Sequence, residues 1–127
     1  MRRAIVTFAF AALTGPVAAE LIEVKLTSDA IVEKQLTIAP GKFVEVCSPL
    51  QRGQVVLWQF RADTAIDFNV HFHVGERVHY PEQRPNIHAA GGRLSVEVDQ
   101  GYCWMWSSRS NAPVVVDAKL NLASPAR

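Results

Sequence analysis

Four histidines crowd into 18 residues: His71, His73, His79 and His88, and the chain has no others. The first two stand as His71-Phe72-His73 inside Ile66 to Val74 (IDFNVHFHV), where apolar and polar residues alternate. Alternation at that period marks a strand, on which residues i and i+2 share a face. Asn69, His71 and His73 therefore point one way, and Phe68, Val70, Phe72 and Val74 point to the core. Two imidazoles on one strand are half of a Zn²⁺ or Cu²⁺ site. A ligating imidazole needs an acceptor for its second nitrogen, and Asp67, Glu76 and Asn69 are near in sequence. Gly75-Glu76 can turn the chain and bring the His79 strand alongside, and Met105 is a soft thioether donor suited to copper. The metal set is then His71, His73, His79 and Met105. Metal sites usually take three or four ligands, and exposed imidazoles on a sheet face are ordinary. The first expectation is therefore a polar recognition surface of Asn69, His71, His73, His79 and His88 that needs no cofactor, with copper or zinc binding as the alternative.

Other chemistry finds little support. There is no G-x-S-x-G elbow and no H-E-x-x-H pair. Asp63, Asp67, Glu76 and Glu82 are spaced acids without a signature, and Ser95, Ser107 and Ser108 lie in no nucleophile motif. The expectation is a non-enzyme. Tyr102, Trp104 and Trp106 share one face of a strand whose other face carries Cys103 and Met105. That reads as a central strand buried on both sides, with an aromatic ligand platform as the lesser reading.

The elements that must hold these residues are short strands. LIEVKLT (21–27), KQLTIA (34–39), FVEVC (43–47), QVVLWQFRA (54–62), IDFNVHFHV (66–74), RVHY (77–80), RLSVEV (93–98), YCWMW (102–106) and VVVDAKLNL (114–122) are strand-like, while EQRPNIHAAGG (82–92) reads as a loop. Eight or nine short strands with close turn signals and no 3.6-residue stripe predict an all-β, antiparallel sandwich.

The N-terminus reads as a Sec-type signal peptide. Arg2-Arg3 precede an apolar run (AIVTFAFAAL), then Gly15-Pro16, then Val17-Ala18-Ala19 before a cut that leaves Glu20 first. The run is about ten residues, against about 20 for a membrane span. The mature chain, 20–127, is one domain with a loose tail at 123–127, placed in a periplasm or outside the cell. Without Arg2 and Arg3, 11 basic residues face 12 acidic ones, a net charge of −1 that disfavours nucleic acid. No later segment is long enough to span a membrane. The expected partner is a protein or a small molecule. Cys47 and Cys103 are the two cysteines. An even count in an exported chain favours a disulfide, with two buried thiols or two metal ligands as the alternatives.

The back half carries a family pattern: Gly53-Gln54-Val55-Val56-Leu57-Trp58-Gln59-Phe60, then Asp67-Phe68-Asn69-Val70, then Gly101-Tyr102-Cys103-Trp104-Met105-Trp106-Ser107, then Pro113-Val114-Val115-Val116. Over residues 40 to 122 this resembles a Golgi-dynamics (GOLD) domain. The resemblance implies an eight-stranded, jelly-roll-like sandwich that binds a ligand or protein without catalysis. In the cargo-receptor branch an early Cys and one in a Gly-Tyr-x-x-Cys-like strand form a disulfide, and Cys47 and Cys103 hold comparable places. Those receptors continue into a coiled coil and a membrane helix, which this sequence does not show, so their trafficking role is not carried over.

Overall fold

The computed structural model describes residues 20–125; the signal peptide expected at 1–19 lies outside them. The described chain forms seven strands: β1 (Glu20–Glu23), β2 (Val32–Ile38), β3 (Phe43–Leu50), β4 (Val55–Val74), β5 (Arg77–Ser95), β6 (Gln100–Ser107) and β7 (Val114–Leu122). They make one curled sheet in the order β1-β3-β6-β4-β7-β2, with β5 on the other edge of β4. All pairs are antiparallel except β1 with β3, which is parallel.

The strand count falls below eight because two strands are long. β4 has 20 residues and β5 has 19. The first half of β4, Val56–Ala62, pairs with β7, and its second half, Asp67–Phe72, pairs with β6. Between them the sheet folds over, and the Asp63 carboxylate accepts the Val115 N–H at 3.0 Å. One leaf is β1, β3, β6 and the second half of β4; the other is β2, β7 and the first half of β4. The β4–β5 hairpin runs through both.

Segment 82–92, expected as a loop, lies within β5. Composition pointed to a loop because Pro81, Pro85 and Asn86 are poor strand residues. They are tolerated because β5 is an edge strand pairing with β4 alone, and Pro81, Pro85 and Asn86 have no partner in that register. Register shifts between Ile66 and Phe68 and between Val70 and Phe72 absorb the irregularity. Asn86 takes a left-handed φ of 52° there, and its N–H donates to the Asp67 carboxylate at 3.0 Å.

The core lies between the leaves and follows the alternation. Val56, Trp58, Phe60, Ala62, Ile66, Phe68 and Val70 of β4 are all buried. Trp58, Phe60, Phe68 and Trp106 form one aromatic cluster, with Phe60 and Phe68 centroids 4.7 Å apart and Phe60 edge-on to Trp106 at 5.8 Å. Each fully buried large apolar side chain contributes about 1.5–3 kcal/mol. Tyr102, Trp104 and Trp106 are about 1% exposed, so they pack the core and form no ligand platform.

Cys47 and Cys103 form a disulfide and lie opposite each other on β3 and β6. It closes a loop across 56 positions of sequence. The chain-entropy estimate for such a loop is about 4 kcal/mol. Among the described residues no helix is long and apolar enough to cross a membrane.

Candidate functional site

His71 sits on the outer face of the first leaf, yet it is 6% exposed. Register explains this. β6 and β3 lie side by side with β4, so His71 is opposite Cys103, which is opposite Cys47; Asn69 is opposite Met105, which is opposite Glu45. These six residues share one face and build a small patch around the imidazole, with the disulfide as one wall. Tyr80 covers another side, its ring 6.0 Å from that of His71.

The ring is held at both nitrogens. Nδ1 lies 2.8 Å from the Asn69 Oδ1. An amide oxygen only accepts, so Nδ1 carries the proton and Nε2 keeps its lone pair in the neutral ring. Nε2 faces the Glu45 carboxylate at 3.5 Å. Burial lowers the His71 pKa from its ordinary value, and the charge of His73 lowers it further. Burial raises the Glu45 pKa, partly offset by His73. A bare ring nitrogen thus faces a carboxyl group whose pKa burial raises.

Asn69, expected among three possible acceptors, is the one that orients His71. Asp67 instead holds the Asn86 N–H and, at 2.6 Å, the Arg109 Nε. Glu76 lies at the exposed hairpin turn. His73 shares the His71 face, its ring edge-on at 5.3 Å between centroids and 86° between planes.

His79 departs from the expected cluster. The turn is two residues long, so Val74 pairs with Arg77, His73 with Val78 and Phe72 with His79. Direct partners share a face, and the His79 ring stacks on Phe72 at 5.0 Å and 12°, on the other side of the sheet from His71. His88 is exposed between Ile87, opposite Ile66, and Ala89, opposite Arg61. That places it beyond Ile66, which is itself about 17 Å along the strand from His71 at about 3.3 Å per residue. Met105 does share the face of Asn69 and His71. Glu45 escaped sequence reading, because only the β3-β6-β4 order brings it beside them.

The hairpin end is the second feature. β4 pairs with β6 no farther than Phe72, and the strand runs on through His73 and Val74 to the turn. Gly75 has φ 58°, as the first position of a type II′ turn needs. Val74, Val78 and Tyr80 are 46%, 38% and 48% exposed.

The outer face of the second leaf is different. It carries an open recess of about 810 Å³ along Glu33, Gln35, Gln59, Arg61, Asp117 and Lys119. Its polar groups largely serve each other: Lys119 Nζ lies 3.6 Å from Glu33, and Gln35 donates to Asp117 at 3.1 Å.

No known family model and no curated protein matches the sequence. Solved structures do match the fold. The pre-peptidase C-terminal domain of a collagenase from Bacillus anthracis aligns with a TM-score of 0.61 and 7% identity, over 81% of this chain and 96% of that one. PliG from Aeromonas hydrophila, described as a periplasmic inhibitor of g-type lysozyme, aligns at 0.57 and 13% identity, over 83% of this chain and 99% of that one. The Yersinia pseudotuberculosis-derived mitogen aligns at 0.57 and 10% identity, over 77% and 90%. The chain is therefore similar in fold to small all-β, sandwich-type domains.

Proposed function

We propose that this chain is an exported, non-catalytic module that binds a protein through the end of its β4–β5 hairpin. The observation that carries the reading is the exposed apolar tip of the hairpin, with Val78 and Tyr80 on the face of His73 and Val74 on the face of His79, on a stiff two-residue turn. Apolar side chains gathered at a protruding tip mark an interaction site, whereas scattered ones do not. The disulfide supports export, since such bonds persist in oxidising compartments. The GOLD-like pattern of residues 40 to 122 fits the same role, as does the use of a similar fold by PliG to inhibit a lysozyme. A protein partner fits better than a small ligand, because the recess on the second leaf is open and largely charge-paired.

The test is capture from an envelope extract of the native host, with tagged mature parent, a Val74→Asp/Val78→Asp variant and a Gln59→Asp variant. The expected result is a partner recovered by the parent and by Gln59→Asp and lost from the hairpin variant. Equal recovery by the parent and the hairpin variant would overturn the reading.

A further inference from the structure

We propose that Glu45, His71 and His73 form a binding site for a divalent transition ion of the Zn²⁺ or Cu²⁺ class, with Asn69 as the residue that orients His71. This stands apart from the hairpin reading, and its failure would leave the hairpin variants' behaviour unchanged.

Three geometric observations carry it. First, Nε2 of His71 and Oε2 of Glu45 are 3.5 Å apart. An ion at zinc-like distances of about 2.05 Å from nitrogen and about 2.1 Å from oxygen would subtend about 115° between them, near the tetrahedral angle. Second, the His73 ring stands edge-on to that of His71 with centroids 5.3 Å apart, the spacing of two imidazoles on one tetrahedral ion; its nitrogens lie outside the 4.8 Å group of Glu45, His71 and Cys103, so this exposed side chain must rotate to bring its nitrogen in. Third, Nδ1 of His71 is bound to the Asn69 amide oxygen at 2.8 Å. That bond fixes the tautomer that directs the Nε2 lone pair at Glu45, the usual arrangement behind a ligating histidine.

The donor set is two nitrogens and a carboxylate oxygen, which suits borderline ions. Access runs past His73, which is exposed, while His71 and Glu45 are shielded from solvent. The Cys103 sulfur lies within 4.8 Å of both ligand atoms, but it is committed to the disulfide and offers no thiolate. With His73 rotated in, the site would have three protein ligands and an open position. It differs from the expected set: Glu45 enters, and His79, on the opposite face, leaves.

Isothermal titration of the mature protein with ZnCl₂ tests this, with CuCl₂ as a second probe. The expected result is one ion per chain, with affinity lowered tenfold or more by Glu45→Gln and by His73→Ala and changed less than twofold by His79→Ala or His88→Ala. His73 is exposed and Glu45→Gln keeps the side-chain shape, and near-UV circular dichroism checks the fold of both variants. With Co²⁺ as the probe, the parent should show the intense visible bands of a tetrahedral ion and Glu45→Gln should lose them. No saturable uptake by the parent overturns the proposal. So does uptake that survives both Glu45→Gln and His73→Ala, or that His79→Ala abolishes.

Discussion

The two leaves turn very different outer faces to solvent. On the second leaf, Glu33, Gln35, Asp117 and Lys119 form an ordinary solvated face, each group near a partner and near water. On the first leaf, an imidazole and a carboxylate are packed against a disulfide, a thioether and a phenol. Burying such groups costs stability unless every polar atom is served. A domain that needed only an outer face would not bury a histidine there. The contrast supports the proposal that the working surface is the first leaf and the hairpin that extends it.

The largest break in that contrast is removal of the disulfide. Cys47→Ser/Cys103→Ser should lower unfolding free energy by about 4 kcal/mol in a denaturant titration, and so loosen the wall behind His71. A loss below about 1 kcal/mol would show that the first leaf does not depend on it. Next is His71→Ala, which leaves Asn69 and Glu45 unserved and opens a gap beneath Tyr80. It should cost about 2 kcal/mol, and a cost near that of a surface change would remove the distinction between the faces.

A smaller effect is read from pH, with a chelator present. His71 has a folded pKa below its ordinary 6.5. As pH falls below 6.5 the unfolded chain takes up a proton that the folded chain refuses, so stability drops until the folded value is passed. Glu45 acts in the opposite sense. Its folded pKa is above 4.5, so the stability present below 4.5 is lost as pH rises through the folded value. Glu45→Gln removes that second loss and presents an amide N–H to Nε2. The metal-free variant should melt above the parent at pH 7, and the gap should close below pH 4.5. A parent that melts higher at pH 7 would refute the assignment. The smallest effect belongs to the other face, where Lys119→Ala should shift stability by about 0.5 kcal/mol or less in the same melts.

Much of this was legible in the sequence, and the misses have physical causes. Alternation alone put Asn69, His71 and His73 on one face and Phe68 and Val70 in the core, and the two cysteines pointed to a bond. The side taken by His79 depends on turn length, since one more residue in the turn would have reversed its facing. Glu45 lies 26 positions before His71 and meets it only through strand order, which local pattern does not encode. The span 82–92 read as a loop because its residues disfavour strands; its place on an edge, where prolines are tolerated, is a property of the whole sheet. Alternation put Met105 on the strand face away from Trp104, but nothing in the sequence showed that this face meets the histidines until β6 was seen between β3 and β4.

The central claim is that recognition occurs at the hairpin end of the first leaf and not on the second leaf. In-cell photo-crosslinking tests it most directly, with p-benzoylphenylalanine placed at Val78 or Tyr80 and, separately, at Gln59 or Lys119. The account predicts a discrete protein adduct from the two hairpin positions and none from the other pair. Adducts from Gln59 or Lys119 with none from Val78 or Tyr80 would contradict it.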